Sequence, residues 1–146
     1  ILKIKKMPTT TATIALSSDV TDSTLSVSNV ATLFKAGSAT SGVDTMTSVS
    51  KVLESTNQVD LFEYTAAGGA THNFLYINNP STDVTEYFHI TFGAAGAGSP
   101  TETEEIGRLY GGDWMFIPYG AADANSDVCI TPSVSTAMTV EYMLFN

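Results

Sequence analysis

From Thr11 to Phe145 apolar and polar residues alternate with a period of two, and turn residues break the alternation repeatedly. Successive side chains of a strand point to opposite faces, so this alternation marks strands with one buried side. No segment sustains the 3.6-residue period of an amphipathic helix. The chain is therefore predicted to fold from strands alone.

The strands can be placed one by one. Thr11–Leu16 alternates cleanly, and Asp19–Ser23 is a polar turn cluster. Alternation resumes at Leu25-Ser26-Val27-Ser28 and slips at Asn29-Val30, which predicts a β-bulge near Asn29. Leu33 and Phe34 end this region, and residues 36–48 read as a loop of small polar residues. Val49–Leu53 and Val59–Tyr64 are short strands, and Ala66–Ala70 is a glycine-rich connection. Phe74-Leu75-Tyr76-Ile77 is apolar on both faces, which predicts a central strand covered on both sides. Asn78–Ser81 is a turn. Further strands follow at Glu86–Phe92, Glu105–Tyr110, Trp114–Pro118, Asp127–Thr131 and Met138–Phe145, with loops at Gly93–Pro100 and Ala121–Ser126. Nine or ten short antiparallel strands predict an all-β sandwich, with a jelly roll as the favoured winding. A closed barrel and another Greek-key sandwich are the alternatives. A length of 146 residues fits one domain, residues 9–146, preceded by an arm or extension at 1–8.

Charge narrows the partners. Fifteen acidic residues face six basic ones, for a net charge of −9. Lys3, Lys5 and Lys6 supply half of the basic residues, so the chain from Met7 onward carries three bases against fifteen acids, a net of −12. Such a surface repels phosphate, which argues against nucleic-acid partners and against docking on anionic lipid. No apolar run reaches the roughly 18 residues of a membrane-spanning helix. Charged residues are only 14% of the chain against a usual share of about 25%. Thirty-six serines and threonines carry much of the surface polarity instead. The leader Ile1-Leu2-Lys3-Ile4-Lys5-Lys6 has the opposite character, apolar and basic. Met7-Pro8-Thr9 resembles a natural start, so the leader reads either as an extension or as a strand-adding arm facing an acidic partner.

Candidate chemistry is sparse. His72 and His89 have no third ligand at metal spacing, and a single cysteine, Cys129, excludes an intramolecular disulfide and a multi-cysteine zinc site. Asp123–Asp127 matches the opening of a calcium loop. Val128 then stands where that loop needs glycine, and Val134 where it needs a bidentate glutamate. Glu102, Glu104 and Glu105 supply carboxylates of the kind a glycosidase uses, yet their crowding fits a solvated sheet edge better. Gly93, Gly96 and Gly98 lack the following Lys-Ser/Thr of a phosphate loop. Catalytic residues, cofactor and metal are accordingly expected to be none. Tyr110, Trp114 and Tyr119, with Phe116, read as core and rim, as a partner interface, or as a sugar-stacking platform.

The run Glu105–Pro118 (EIGRLYGGDWMFIP), the ending Met138–Phe145 (MTVEYMLF) and the Thr-rich opening from Thr9 to Leu16 resemble small virion structural proteins of marine tailed phages, including those infecting cyanobacteria. The likeness spans most of residues 9–145 and lies in composition and cadence; the leader at Ile1–Lys6 departs from it. The resemblance implies a β-rich, non-enzymatic capsid or tail component. It points to a decoration or cement protein on the outer capsid surface, with the major capsid protein as partner and a homo-oligomer, favoured as a trimer. Ile1, Leu2, Lys3, Ile4, Lys5, Lys6, Tyr110, Trp114 and Tyr119 are the expected partner-interface residues. A tail or fibre adhesin, or a carbohydrate-binding module, is the alternative.

Overall fold

A computed structural model describes residues 9–20, 25–35, 37–62, 74–93, 104–119 and 127–146. Ten strands are described: β1 (Thr10–Ser18), β2 (Leu25–Leu33), β3 (Met46–Leu53), β4 (Val59–Phe62), β5 (Phe74–Asn78), β6 (Tyr87–Phe92), β7 (Glu104–Tyr110), β8 (Trp114–Pro118), β9 (Val128–Pro132) and β10 (Met138–Phe145). No helix occurs among the described residues. The all-β expectation holds. The chain divides into two compact units, Ile1–Thr45 and Met46–Asn146.

The second unit is an antiparallel β-sandwich. One sheet has the order β3-β10-β5-β8 and the other β4-β9-β6-β7. The pairing is nested: β6 with β7, β5 with β8, β4 with β9, and β3 with β10. One core lies between the sheets. Leu53, Leu75, Ile77, Met138, Val140 and Leu144 come from the first sheet, and Leu61, Phe62, Phe88, Ile90, Leu109, Val128 and Ile130 from the second. Phe88, Leu75, Ile77, Val128, Ile130 and Val140 have at most traces of exposed surface. Burying each such side chain contributes ~1.5–3 kcal/mol, which is what holds two otherwise separate sheets together.

Two bulges bend the second sheet, one in the β4–β9 pairing between Asp60 and Phe62, the other in β6–β7 between Ile90 and Thr91. Gly107 sits at the latter with φ 148°, a backbone conformation that side chains rarely allow. At one end the β5–β6 connection is stitched to the β7–β8 turn. Asn79, fully buried, donates from Nδ2 to the Leu109 carbonyl at 3.0 Å, and Gly112 N donates to the Asn79 carbonyl at 2.9 Å. Gly111 has no room for a side chain, because a Cβ there would collide with the Asp83 carbonyl oxygen and stand 2.8 Å from that of Ser81.

The described strands of the first unit form a two-stranded hairpin. β1 and β2 pair in continuous register from Thr10↔Leu33 to Ser18↔Leu25. The bulge expected near Asn29 is therefore absent, and Asn29 pairs with Ile14. Val30 simply takes the other face, opposite Thr13, where it is 62% exposed. A bulge would be needed only to bring Val30 round to the face on which Leu33 is buried, and Val30 stays exposed instead. Residues beyond β2 close a small loop, with Lys35 N donating to the Ser41 carbonyl and Val43 N to that of Leu33. Lys35 and Asp44 form an ion pair at 2.8 Å.

Candidate functional site

The outward face of the β3-β10-β5-β8 sheet is built from the residues that alternate with the core. Its rows follow from the register. Met46, Phe145, Phe74 and Pro118 form one row; Ser48, Met143, Tyr76 and Phe116 the next; Ser50, Glu141, Asn78 and Trp114 the third. The aromatic members touch one another. Phe74 stacks on Phe116 with centroids 5.6 Å apart, Phe116 meets Phe145 edge-on at 6.1 Å, and Tyr76 leans on Trp114 at 6.1 Å. Trp114 is 56% exposed and Met46 57%. Phe74, Tyr76, Phe116, Met143 and Phe145 are half-buried. Glu141 is the sole charged member of these rows, and it accepts from Asn78 Nδ2 at 3.0 Å.

Local structure fixes the Trp114 end of this surface. Asp113 Oδ2 accepts from Tyr110 N at 3.0 Å, and Asn79 N donates to the Asp113 carbonyl at 3.0 Å. The indole therefore leaves a turn whose backbone is tied on both sides.

The outward face of the other sheet differs in kind. Tyr87 and Tyr110 pair at 5.2 Å, and the Arg108 guanidinium lies 4.7 Å above the Tyr87 ring, a cation–π contact. A hydrogen bond to Tyr110, helped by the nearby Tyr87, Tyr110 and Glu105, pushes the Arg108 pKa up. His89 Nε2 lies 2.8 Å from Glu105 Oε1. Gln58 Nε2 donates to Thr91 Oγ1 at 2.9 Å in a buried setting. Cys129 is fully buried, with Sγ 3.2 Å from Asp60 Oδ1 and 3.0 Å from the Gly93 carbonyl. Burial first, then Asp60, pushes its thiol pKa up to about 12. The thiolate needed for nucleophilic work is thus suppressed. A cavity of about 190 Å³ lies between the bulge and β8, lined mainly by Ile90, Ile106, Leu109 and Met115 and apolar in character. Among the described residues no group of three His, Cys, Asp or Glu side chains is placed to hold a metal.

Of the residues expected at an interface, Tyr110, Trp114 and Tyr119 are not brought together. Trp114 is on the aromatic face, as an exposed member. Tyr110 is 39% exposed on the other sheet, against Tyr87. Tyr119 is a core residue, 5% exposed, edge-on to Phe62 at 5.3 Å and stacked on Phe92 at 6.4 Å. Burial first pushes its hydroxyl pKa up to about 12. It cannot serve as a surface platform with the other two. The leader Ile1–Lys6 lies outside the described residues, as do His72, Glu102, Gly96, Gly98, the Ala66–Ala70 and Ala121–Ser126 loops and most of the Asp123–Asp127 motif. Phe74, Tyr76 and Phe145 were legible only as strand residues. Their shared face appears once β10 is known to lie between β3 and β5, a pairing that alternation alone does not encode.

The expectation that Phe74–Ile77 is covered on both sides needs correction in part. β5 is interior to its sheet, between β10 and β8, and Leu75 and Ile77 are fully buried. Phe74 and Tyr76, on the other face, are only half-buried.

Comparison with known proteins adds little. No family model matches the chain, and no curated protein matches it. Among solved structures, the crystal structure of Yersinia pseudotuberculosis-derived mitogen (YPM) is similar over 68% of this chain and 84% of that one, with 13% identity and a TM-score of 0.40.

Proposed function

We propose that the protein is a non-enzymatic virion structural component, a decoration or cement protein on the outer face of a tailed-phage capsid. The observation that carries this reading is a pair of apolar surfaces on an acidic all-β chain: the half-buried aromatic sheet face with its exposed Trp114 and Met46, and the exposed side of the β1–β2 hairpin. Contiguous apolar surface of this kind marks sites of assembly. The acidic charge favours a position away from packaged DNA. The nested strand pairing is how a jelly roll is wound, a fold that recurs in capsid proteins, and it supports that finer reading of the sandwich. A non-enzymatic role is supported by the chemistry in hand: burial and Asp60 keep the Cys129 thiol protonated at neutral pH.

Under this reading the leader Ile1–Lys6 meets the capsid protein. Copy number per virion, measured by quantitative mass spectrometry, should approach that of the capsid subunit, whereas a handful of copies would place the protein elsewhere. Deleting residues 1–6 should weaken binding to purified capsids.

The exposure of Trp114 keeps one other reading in play, that of a tail or fibre adhesin or carbohydrate-binding module. The tilted Tyr76–Trp114 pair offers a stacking surface for a sugar ring. A glycan array that retains a ligand with the native protein and loses it with Trp114→Ala would favour this reading over the capsid one.

A further inference from the structure

We propose that the apolar face of the β1–β2 hairpin packs on the aromatic sheet face of a second copy of this chain, and that two copies exchange hairpins reciprocally. The hairpin is amphipathic. Directly paired residues share a face, so Ala12 and Ala31, Ile14 and Asn29, Leu16 and Val27, and Ser18 and Leu25 lie together on one side, with the buried Leu33 at its end. Thr11 and Thr32, Thr13 and Val30, Ala15 and Ser28, and Ser17 and Ser26 lie on the other, where Val30 is the one large apolar side chain. Ile14 is 47% exposed, Leu16 57%, Leu25 51% and Val27 50%. An isolated two-stranded hairpin is at best marginally stable in water and gains its stability by covering an apolar face.

Two observations point to a second copy as the occupant. The first is chemical match. Neither β1 nor β2 contains a charged residue, and the three sheet rows contain only Glu141, already hydrogen-bonded to Asn78. Packing one on the other desolvates no unpaired cation or anion.

The second is size. The nine-residue hairpin strands extend ~30 Å at the usual rise, and the eight residues of β3 and of β10 extend ~27 Å, so the surfaces match in length. A ribbon two strands wide covers on the order of 300 Å², so one docking event removes roughly 600 Å² counting both partners. Reciprocal exchange doubles this to about 1,200 Å², the lower edge of a specific, stable interface. A one-way contact falls short of it.

The exchange does not depend on the capsid reading and holds equally for an adhesin.

The test uses the full chain. Leu16→Cys and Tyr76→Cys are made as separate variants, mixed, and treated with a short bis-maleimide. The exchange predicts a crosslinked dimer containing one chain of each variant, and a two-chain mass for the native protein by light scattering. Leu16→Asp should shift that mass to one chain while the far-ultraviolet circular dichroism keeps its β signature. A native protein that stays monomeric at every concentration overturns the proposal. So does crosslinking confined to single chains of the Leu16→Cys/Tyr76→Cys double variant. A trimer with one-way contacts overturns the reciprocity.

Discussion

The hairpin and the sandwich share one sequence grammar and end in opposite environments. β1 and β10 both alternate apolar and polar residues, as TATIAL and TVEYML. In β10 the apolar set, Met138, Val140 and Leu144, is buried beneath the opposite sheet. In β1 the corresponding residues, Ile14 and Leu16, are about half exposed. Alternation therefore specifies that a strand has an apolar side. What covers that side is set by which strands return to face it, and for the hairpin no described strand of its own unit does so.

The difference can be broken most sharply by truncating matched residues. Phe88→Ala removes a side chain with no exposed surface and should cost ~3–5 kcal/mol in urea unfolding. Leu16→Ala, at a protein concentration low enough to keep the chains apart, should change unfolding by no more than ~0.5 kcal/mol. Equal costs would mean that the hairpin is packed within its own chain.

A second contrast concerns backbone crowding. Gly111→Ala places a Cβ against the Asp83 and Ser81 carbonyls and should destabilise the sandwich by ~1–3 kcal/mol. Gly37, in the hairpin unit, has φ 73° and nothing within 4 Å of a Cβ, so Gly37→Ala should cost only ~1 kcal/mol of local strain. Calorimetry on the two variants would separate a collision from a conformational preference.

Alkaline pH should distinguish the units more gently. Burial raises the Cys129 thiol from 9.0 and the Tyr119 hydroxyl from 10.0, each to about 12. Above pH 9 the unfolded chain releases these protons before the folded one does. The stabilisation they carry is complete below pH 9 and is lost as pH rises toward 12. Chemical denaturation between pH 8 and 11 should show falling stability, with a shallower slope in Cys129→Val. The same burial predicts that Cys129 resists alkylation in the native state at pH 8 and reacts once denaturant unfolds the sandwich.

Much of the fold was legible in the residues. Ten strands lie close to the expected segments, because each apolar alternation is local and each is flanked by Gly, Asn, Asp or Pro turns. The Asn29 bulge failed because a phase slip forces a bulge only where a core enforces one face. The site was legible in fragments. Trp114 was singled out and is exposed. Tyr119 looks identical in sequence but follows β8 into the core beside Phe62 and Phe92. One residue after a strand ends, backbone direction decides the outcome, and no period encodes it. The row Met46-Phe145-Phe74-Pro118 joins residues from four separate strands, so only the pairing of those strands reveals it.

The central claim is that the exposed apolar side of the hairpin is covered by another copy. Sedimentation equilibrium of the native full chain, beside Leu16→Asp, tests it most directly. The account predicts a two-chain mass for the native protein and a one-chain mass for the variant. A one-chain mass for the native protein across the accessible concentration range would contradict it.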